Sequence, residues 1–330
     1  MRNLADAAEA IRAAHTVAIC AHMNPDGDTI GSVLAMKLVL DRIGKETEVF
    51  CQDRIPDDLN SLPLPAASCV HTPDEARRDR YDLLLALDVS CMDMMGECGM
   101  LFKKCMHSCV IDHHESNSGY AEINVIDGGA AANCQILPEL IDMLGAEISS
   151  DIAGWLYVGI ATDTGHFLFP NTNSETFSVL ARLMKTGFLP EPLNRILFLT
   201  YPVPFLKLLG RAIQSMKFYA GGQLTVMRLT LQDYKDCCAT HEDSEMIVNY
   251  GLTVGTRCTA LAKEERPGTV RFSLRSVPPF SVREAAQKLG GGGHSQAAGV
   301  SLDGTLAETE ERVTRELIAC LEADGGGRVS

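Results

Sequence analysis

The sequence predicts an α/β protein: a mostly parallel sheet with helices on both faces, joined by a helical linker to a smaller α/β domain. Three observations predict it. Short apolar runs alternate with helix-period segments as far as about residue 190. Pro190, Pro192, Pro202 and Pro204 punctuate the next stretch. From Met216 onward the period changes to strand-like alternation. The expected boundaries are therefore 1–190, a linker over 191–215, and 216–330.

The first domain opens with a strand over 16–21 and a helix over 28–43, whose Ile30, Leu34, Leu38 and Ile43 share a face and which Gly44 stops. Strands follow near 47–51, 82–88 and 108–112, with a proline-marked loop at Pro56, Pro63 and Pro65. Helices are expected near 131–144 and 150–161. Thr172-Asn173-Ser174-Glu175 reads as a capping box opening a helix that Gly187 closes. The linker holds helical stretches at 193–200 and 203–215. Beyond it, Phe218-Tyr219-Ala220 and Leu224–Leu229 form a hairpin about Gly221-Gly222. Strands near 253–263 and 269–276 meet at Pro267-Gly268. A helical run covers 282–289, a final helix covers 306–322, and Gly325-Gly326-Gly327 is expected to fray.

The chain has 330 residues, enough for two cores, with 46% apolar and 22% charged residues. Its net charge of −14 argues against tracking along nucleic acid, which needs Lys and Arg on phosphates. It does not exclude a small phosphorylated substrate, because bound metal ions supply local positive charge. No apolar run spans a bilayer, and Arg2, Asp6, Glu9 and Arg12 interrupt any secretory core, so a cytoplasmic location is expected. The 12 cysteines contain no Cys-x-x-Cys pair. Most read as small buried hydrophobes of a reducing compartment; Cys91, Cys98, Cys105 and Cys109 leave a minor metal or redox alternative.

Four apolar runs end in Asp or His: Val17–Ala21 before His22-Met23-Asn24-Pro25-Asp26-Gly27-Asp28, Leu83–Leu87 before Asp88, Cys109–Ile111 before Asp112-His113-His114, and Val158–Thr162 before Asp163. Ligands bind at the carboxyl ends of strands in open α/β sheets. Singly, each residue is better read as a cap, a turn former or surface decoration. Together they suit divalent ions. His22 and Asp26 can face one ion and Asp28 a second, Asp88 can bridge, and His113 and Asp163 can complete the second. Imidazole with carboxylate favours Mn²⁺, with Mg²⁺, Fe²⁺ or Co²⁺ also compatible. Two such ions about 4 Å apart bind a phosphoryl group and activate water.

These motifs resemble the DHH/DHHA1 phosphoesterase family, and within it the oligoribonucleases that also act on 3′-phosphoadenosine 5′-phosphate. His22–Ser32, Asp88-Val89-Ser90, Asp112-His113-His114 and Ala161–Gly165 carry the resemblance. It implies His22, Asp26 and Asp88 on one ion, and Asp28, Asp88, His113 and Asp163 on the other. It also implies that His114 contacts the scissile phosphate and that Asp112 orients a histidine. Two departures bear on substrate preference: Met94 stands where relatives usually carry Arg, and Asn133-Cys134-Gln135 where they often have Ser/Thr and Glu.

In the second domain Gly290–Gly293 precede His294 and Ala297-Ala298-Gly299. Bare glycines permit an anion-binding nest; a helix C-cap is the plainer alternative. The string resembles the DHHA1 substrate signature, which implies phosphate contacts from Gly292, Gly293 and His294, with Arg275-Ser276 holding a terminal phosphate and Arg271 or Arg257 as alternatives. The second domain would hold the phosphate-bearing end and the first would present the phosphoester to the metals. Implied partners are short RNA oligonucleotides and 3′-phosphoadenosine 5′-phosphate, not long nucleic acid or membrane; a homodimer is left open. Rival readings are a cyclic or linear dinucleotide phosphodiesterase, a pyrophosphatase or exopolyphosphatase, and a catalytically dead nucleotide sensor.

Overall fold

The computed structural model describes residues 4–65 and 67–325. Gly326 and Gly327 of the expected frayed tail lie outside them. The chain forms two compact units that divide between Thr200 and Tyr201, inside the segment read as a linker.

The first unit runs α1 (Leu4–Ala13), β1 (Thr16–Cys20), α2 (Gly27–Arg42), β2 (Glu46–Phe50), α3 (Asp57–Asn60), β3 (Val70–His71), β4 (Tyr81–Leu87), β5 (Cys105–Asp112), β6 (Ile123–Ile126), α4 (Asn133–Met143), α5 (Ser150–Asp163), α6 (Ser174–Met184) and α7 (Pro190–Asn194). The six strands are parallel, in the order β3-β2-β1-β4-β5-β6. The chain leaves β1 towards β2 on one side and later enters β4 on the other. The topological switch point therefore lies between β1 and β4, where such sheets bind ligands. One face packs Val17, Ile19, Leu83, Leu85 and Ile111 under α1, α2, α4 and α5. The other packs Ala18, Leu84, Ala86 and Val110 under Met95, Cys98 and Leu101 from 3₁₀ turns over Met92–Lys104.

Several local expectations are corrected. Asp163 closes α5, so it comes from a helix terminus rather than a strand end. The cap of α6 is Asn173, reciprocated by Thr176, because Asn173 Oδ1 rather than Thr172 reaches the N3 amide. Residues 247–251 form 3₁₀ turns and Gly255 has φ +80°, so the strand expected from 253 begins at Cys258. β3 and β6 are too short to show a period, whereas α1, missing from the expected elements, has one: Leu4, Ala7, Ala8 and Ile11 share its buried face.

The second unit contains α8 (Val203–Gln214), β7 (Lys217–Tyr219), β8 (Leu224–Leu229), α9 (Leu231–Cys237), β9 (Cys258–Arg266), β10 (Thr269–Ser276), α10 (Arg283–Lys288), β11 (Gly292–Gly293), β12 (Ala297–Asp303) and α11 (Leu306–Ala323). Its sheet, β11-β12-β10-β9-β8-β7, is mixed: β8 and β9 are parallel and the other pairs antiparallel. Phe272, Leu274 and Ala260 face α10 and α11. Leu261, Met227 and Leu229 face α8, α9 and the 3₁₀ turns. Phe205, Leu208 and Ala212 place α8 in that core. No single helix among the described residues is long and apolar enough to cross a membrane.

Candidate metal centre

Six side chains converge at the switch point. His22 follows β1 and turns its Nδ1 to Met23 O at 2.8 Å, which leaves Nε2 free to coordinate; that atom lies 3.7 Å from Asp88 Oδ2 and 3.9 Å from Asp26 Oδ1. Asp26 is the N-cap of α2, its Oδ1 accepting the N–H groups of Asp28 and Thr29 at 3.0 Å each. The capping role and a ligand role coexist, since Oδ2 is not used by the cap.

Asp28 is buried in the first turn of α2 and accepts the Asn133 and Cys134 N–H groups at 2.5 and 2.9 Å. The N-terminus of α4 thus fixes both of its oxygens. Space for that carboxylate comes from Gly159 on α5: a Cβ there would sit 2.6 Å from Asp28 Oδ1 and 2.3 Å from Cys134 Sγ. Asp88 is buried after β4 with φ +60°, a strained conformation for a residue with a Cβ. Thr29 Oγ1 donates to its Oδ2 at 2.6 Å, while Oδ1 has no hydrogen-bond partner.

His113 turns Nδ1 towards Ala130 O and places Nε2 3.8, 3.5 and 3.6 Å from Asp28, Asp88 and Asp163 oxygens. Asn171 ties the Asp163 and Ala131 carbonyls together. Burial, then repulsion from Asp88, raises the Asp28 pKa; burial likewise pushes Asp163 up to about 6 despite the opposing effect of His113. Potential ligand atoms within 4.8 Å of one another form three groups: His22, Asp26 and Asp88; Asp28, His113 and Asp163; and Asp88, His113 and His114. A buried carboxylate oxygen without a partner, mutually repelling aspartates and two imidazoles with free Nε2 atoms are the donor set a divalent cation satisfies.

Asp112 is fully buried and accepts from His114 Nδ1 at 2.8 Å, from the His113 N–H at 2.9 Å and from Asn117 Nδ2 at 2.7 Å. Burial opposes its ionised form, but the His114 and Asn117 hydrogen bonds win and hold its pKa low. The Asp112 hydrogen bond chiefly, with the charges of Asp112, Asp88 and Asp163 added, pushes the half-exposed His114 up to about 9. Thr29, Asn117 and Asn171 were not singled out from sequence. Thr29 lies inside the first motif, but Asn117 and Asn171 carry no local signal.

Among the described residues no potential metal-ligating group contains a cysteine. Cys98 and Cys109 are core residues, and burial raises their thiol pKa to about 12.

In the second unit Gly290 caps α10 with φ +86°, and the Gly291 N–H reaches Ala286 O, a helix-ending pattern. A Cβ on Gly291 would lie 2.2 Å from Gly299 O. Gly292 and Gly293 pair with Gly299 and Ala298 as an edge strand, and the His294 N–H donates to Ala297 O. The expected nest is therefore a helix cap followed by a hairpin. His294 is exposed, and Arg275 is opposite Ala297, so both flank one point of β12. Ser276 is buried with its hydroxyl donating to Phe280 O, which spends it on the turn. Arg257 is buried against Asp324, Gln223 and the Phe280 ring, a structural role that removes it as an alternative anion contact.

Fold and site are those of a two-unit α/β phosphoesterase with clustered His and Asp side chains that could hold metal ions. The chain belongs to the DHH/DHHA1 phosphoesterase family, whose members are metal-dependent: the DHH family N-terminal domain matches residues 16–160 and the DHHA1 domain matches 242–323. It is 31% identical over 326 residues to a bifunctional oligoribonuclease and PAP phosphatase, NrnA, of Thermus thermophilus, covering 95% of this chain and 92% of that one. The Bacillus subtilis protein of the same name is 26% identical, covering 87% and 89%. A crystal structure of an exopolyphosphatase-related protein from Bacteroides fragilis shares the fold, with a TM-score of 0.80, 24% identity, and coverage of 97% and 96%.

Proposed function

We propose that the chain hydrolyses short oligoribonucleotides to nucleoside monophosphates and removes the 3′-phosphate of 3′-phosphoadenosine 5′-phosphate. The observation that carries this reading is the convergence of His22, Asp26, Asp28, Asp88, His113 and Asp163 at the switch point, in a chain similar end to end to proteins with those two activities. Two divalent ions, Mn²⁺ by donor chemistry, would be held by His22, Asp26 and Asp88 and by Asp28, Asp88, His113 and Asp163, and would polarise the phosphoryl group and lower the pKa of water.

The protein's own groups do the rest. Asp112 fixes the His114 ring through Nδ1, which leaves the Nε2–H to donate to a phosphoryl oxygen or a leaving oxygen. Asn117 holds Asp112 ionised and in place. Thr29 fixes the Asp88 carboxylate, and the α4 N-terminus fixes Asp28, so neither needs to reorganise. In the second unit Arg275 and His294, which flank one point of β12, would receive a phosphate of the substrate. The oligonucleotide presents a phosphodiester and the bisphosphate a phosphomonoester; in both, water adds to phosphorus and a ribose hydroxyl leaves, so one machinery can serve both.

The test is turnover with Mn²⁺ of a dinucleotide, a trinucleotide, 3′-phosphoadenosine 5′-phosphate, a cyclic dinucleotide and pyrophosphate. The reading expects the first three to be hydrolysed fastest. Preferential cleavage of the cyclic dinucleotide, the substrate class in the name of a Listeria monocytogenes relative 24% identical to this chain, would replace it. Preferential release of phosphate from pyrophosphate would do the same.

A further inference from the structure

The second unit holds an open cavity of about 580 Å³ that the hydrolytic reading does not use. Its walls come from the start of α8 and the residues just before it, and from the 3₁₀ turns Glu242–Ser244 and Ile247–Gly251. Tyr201 and Phe205 stack there with ring centroids 5.1 Å apart and planes 20° from parallel. The Tyr250 ring meets Phe205 at 6.2 Å and 54°. Phe205 is buried in the core behind, whereas Tyr201 is 43% exposed, so the stack ends on a partly open ring. Asn249 lines the same cavity, and among the described residues its amide meets only the Met246 thioether, at 3.9 Å. Glu242 and Asp243 add carboxylates, and no Lys, Arg or His lines the cavity. Asp243 spends Oδ2 on the Thr240 N–H and hydroxyl, at 2.7 and 3.0 Å, which leaves Oδ1 for a ligand.

These features define an occupant. Two carboxylates and no cation give a phosphate nothing to pair with. A near-parallel pair of rings is extended by a third flat ring. An amide matches an edge that both donates and accepts, as adenine does through its amino group and ring nitrogen, and a carboxylate accepts from an exocyclic amino group. We propose that this cavity binds an amino-bearing nucleobase, adenine first, stacked on Tyr201 with its edge towards Asn249 and the carboxylates. The base belongs either to a free nucleoside or to an oligonucleotide whose phosphates lie elsewhere. This inference goes beyond the hydrolytic reading and does not depend on it.

The test is calorimetric titration of the full, metal-free chain with adenosine, which carries no phosphate for the metal centre or Arg275 to hold. A Kd of about 0.1–1 mM is expected. Uridine, which lacks the exocyclic amino group, should bind at least about threefold more weakly. Tyr201→Leu should weaken adenosine binding at least about fivefold by removing the stacking surface. Asn249→Leu should abolish the preference over uridine. If a variant does not fold, the unmutated chain still decides, because the Tyr201 and Tyr250 ring signals should shift in NMR spectra as adenosine saturates. No heat and unmoved ring signals at about 5 mM adenosine, ten times a mid-range Kd, overturn the proposal. Equal affinity for uridine, binding that survives Tyr201→Leu, or tighter binding of tetramethylammonium, the probe for an organic-cation cage, overturns it as well. Turnover separates the two sources. A KM raised by Tyr201→Leu for an adenine trinucleotide, but not for 3′-phosphoadenosine 5′-phosphate, assigns the base to the strand; an unchanged KM for both assigns it to a separate nucleoside. Binding is read without metal, so failure of the proposed hydrolysis leaves this outcome distinct.

Discussion

Asp88 concentrates the chemistry at the scale of single residues. It is buried, held at φ +60°, fixed at one oxygen by Thr29, and left with the other oxygen bare. Strain and an unsatisfied oxygen together are costs that a shared cation would offset. Asp88→Asn is expected to lower Mn²⁺-dependent turnover by at least about 100-fold with the fold retained, measured by steady-state kinetics beside far-ultraviolet circular dichroism. Asp112→Asn should cost about 10- to 100-fold, because the His114 ring loses its anchoring charge while all six proposed metal ligands remain. Metal titration separates the two variants: only Asp88→Asn should weaken Mn²⁺ binding strongly. The six Asp and His residues could be picked out in sequence because four apolar runs lead into the short motifs that hold them. Asn117 and Asn171 could not, because they act across loops whose path no local pattern predicts. Ser276 and the glycine string show the reverse limit. Their motif was visible, but whether a hydroxyl or an N–H is already spent on a turn is a tertiary fact.

Elements determine how rigidly those residues are held. Gly159 lets α5 approach α2 and α4 closely enough to enclose the Asp28 carboxylate. Gly159→Ala should destabilise the chain by about 1–3 kcal/mol, measured by denaturant unfolding, and weaken Mn²⁺ binding as Asp28 is displaced. At the amino ends of the strands, opposite the site, Asp82 at the start of β4 accepts the N–H groups of Thr16 and His15 at 2.8 Å each. The Thr16 and His15 hydrogen bonds hold its carboxyl below the ordinary value. The folded pKa is therefore the lower one, so its stabilisation is complete above the unfolded value of about 3.9 and is lost as pH falls through the folded value. Asp82→Asn should flatten the acid limb of the stability profile there, measured by denaturant unfolding between neutral pH and pH 3. Strong periodicity made β1, α2, β4, β5 and α11 readable. The end of α5 was harder, because an apolar run closing on Asp reads equally as a strand end or a buried helix end.

At the scale of the whole molecule, a chain with net charge −14 gathers four of its carboxylates, Asp26, Asp28, Asp88 and Asp163, at one point of its sheet. That arrangement is costly without cations, so metal binding should stabilise the fold. Mn²⁺ at about 100 times its Kd should add about 2.7 kcal/mol, read as a rise in melting temperature that Asp28→Asn abolishes. The division into an α/β unit with a parallel sheet and a second unit with a mixed sheet followed from the change of period near Met216. The parallel β8–β9 pair did not, because hairpin signals imply antiparallel neighbours and only the crossover through α9 and the 3₁₀ turns makes the pair parallel. The most direct test of the central claim is product analysis of 5′-labelled di- to decanucleotides beside 3′-phosphoadenosine 5′-phosphate, with Mn²⁺, for the unmutated chain and Asp88→Ala. The account predicts nucleoside monophosphates from the shortest oligonucleotides, AMP from the bisphosphate, and neither from Asp88→Ala. Equal product from the two proteins, or none from either, would contradict it.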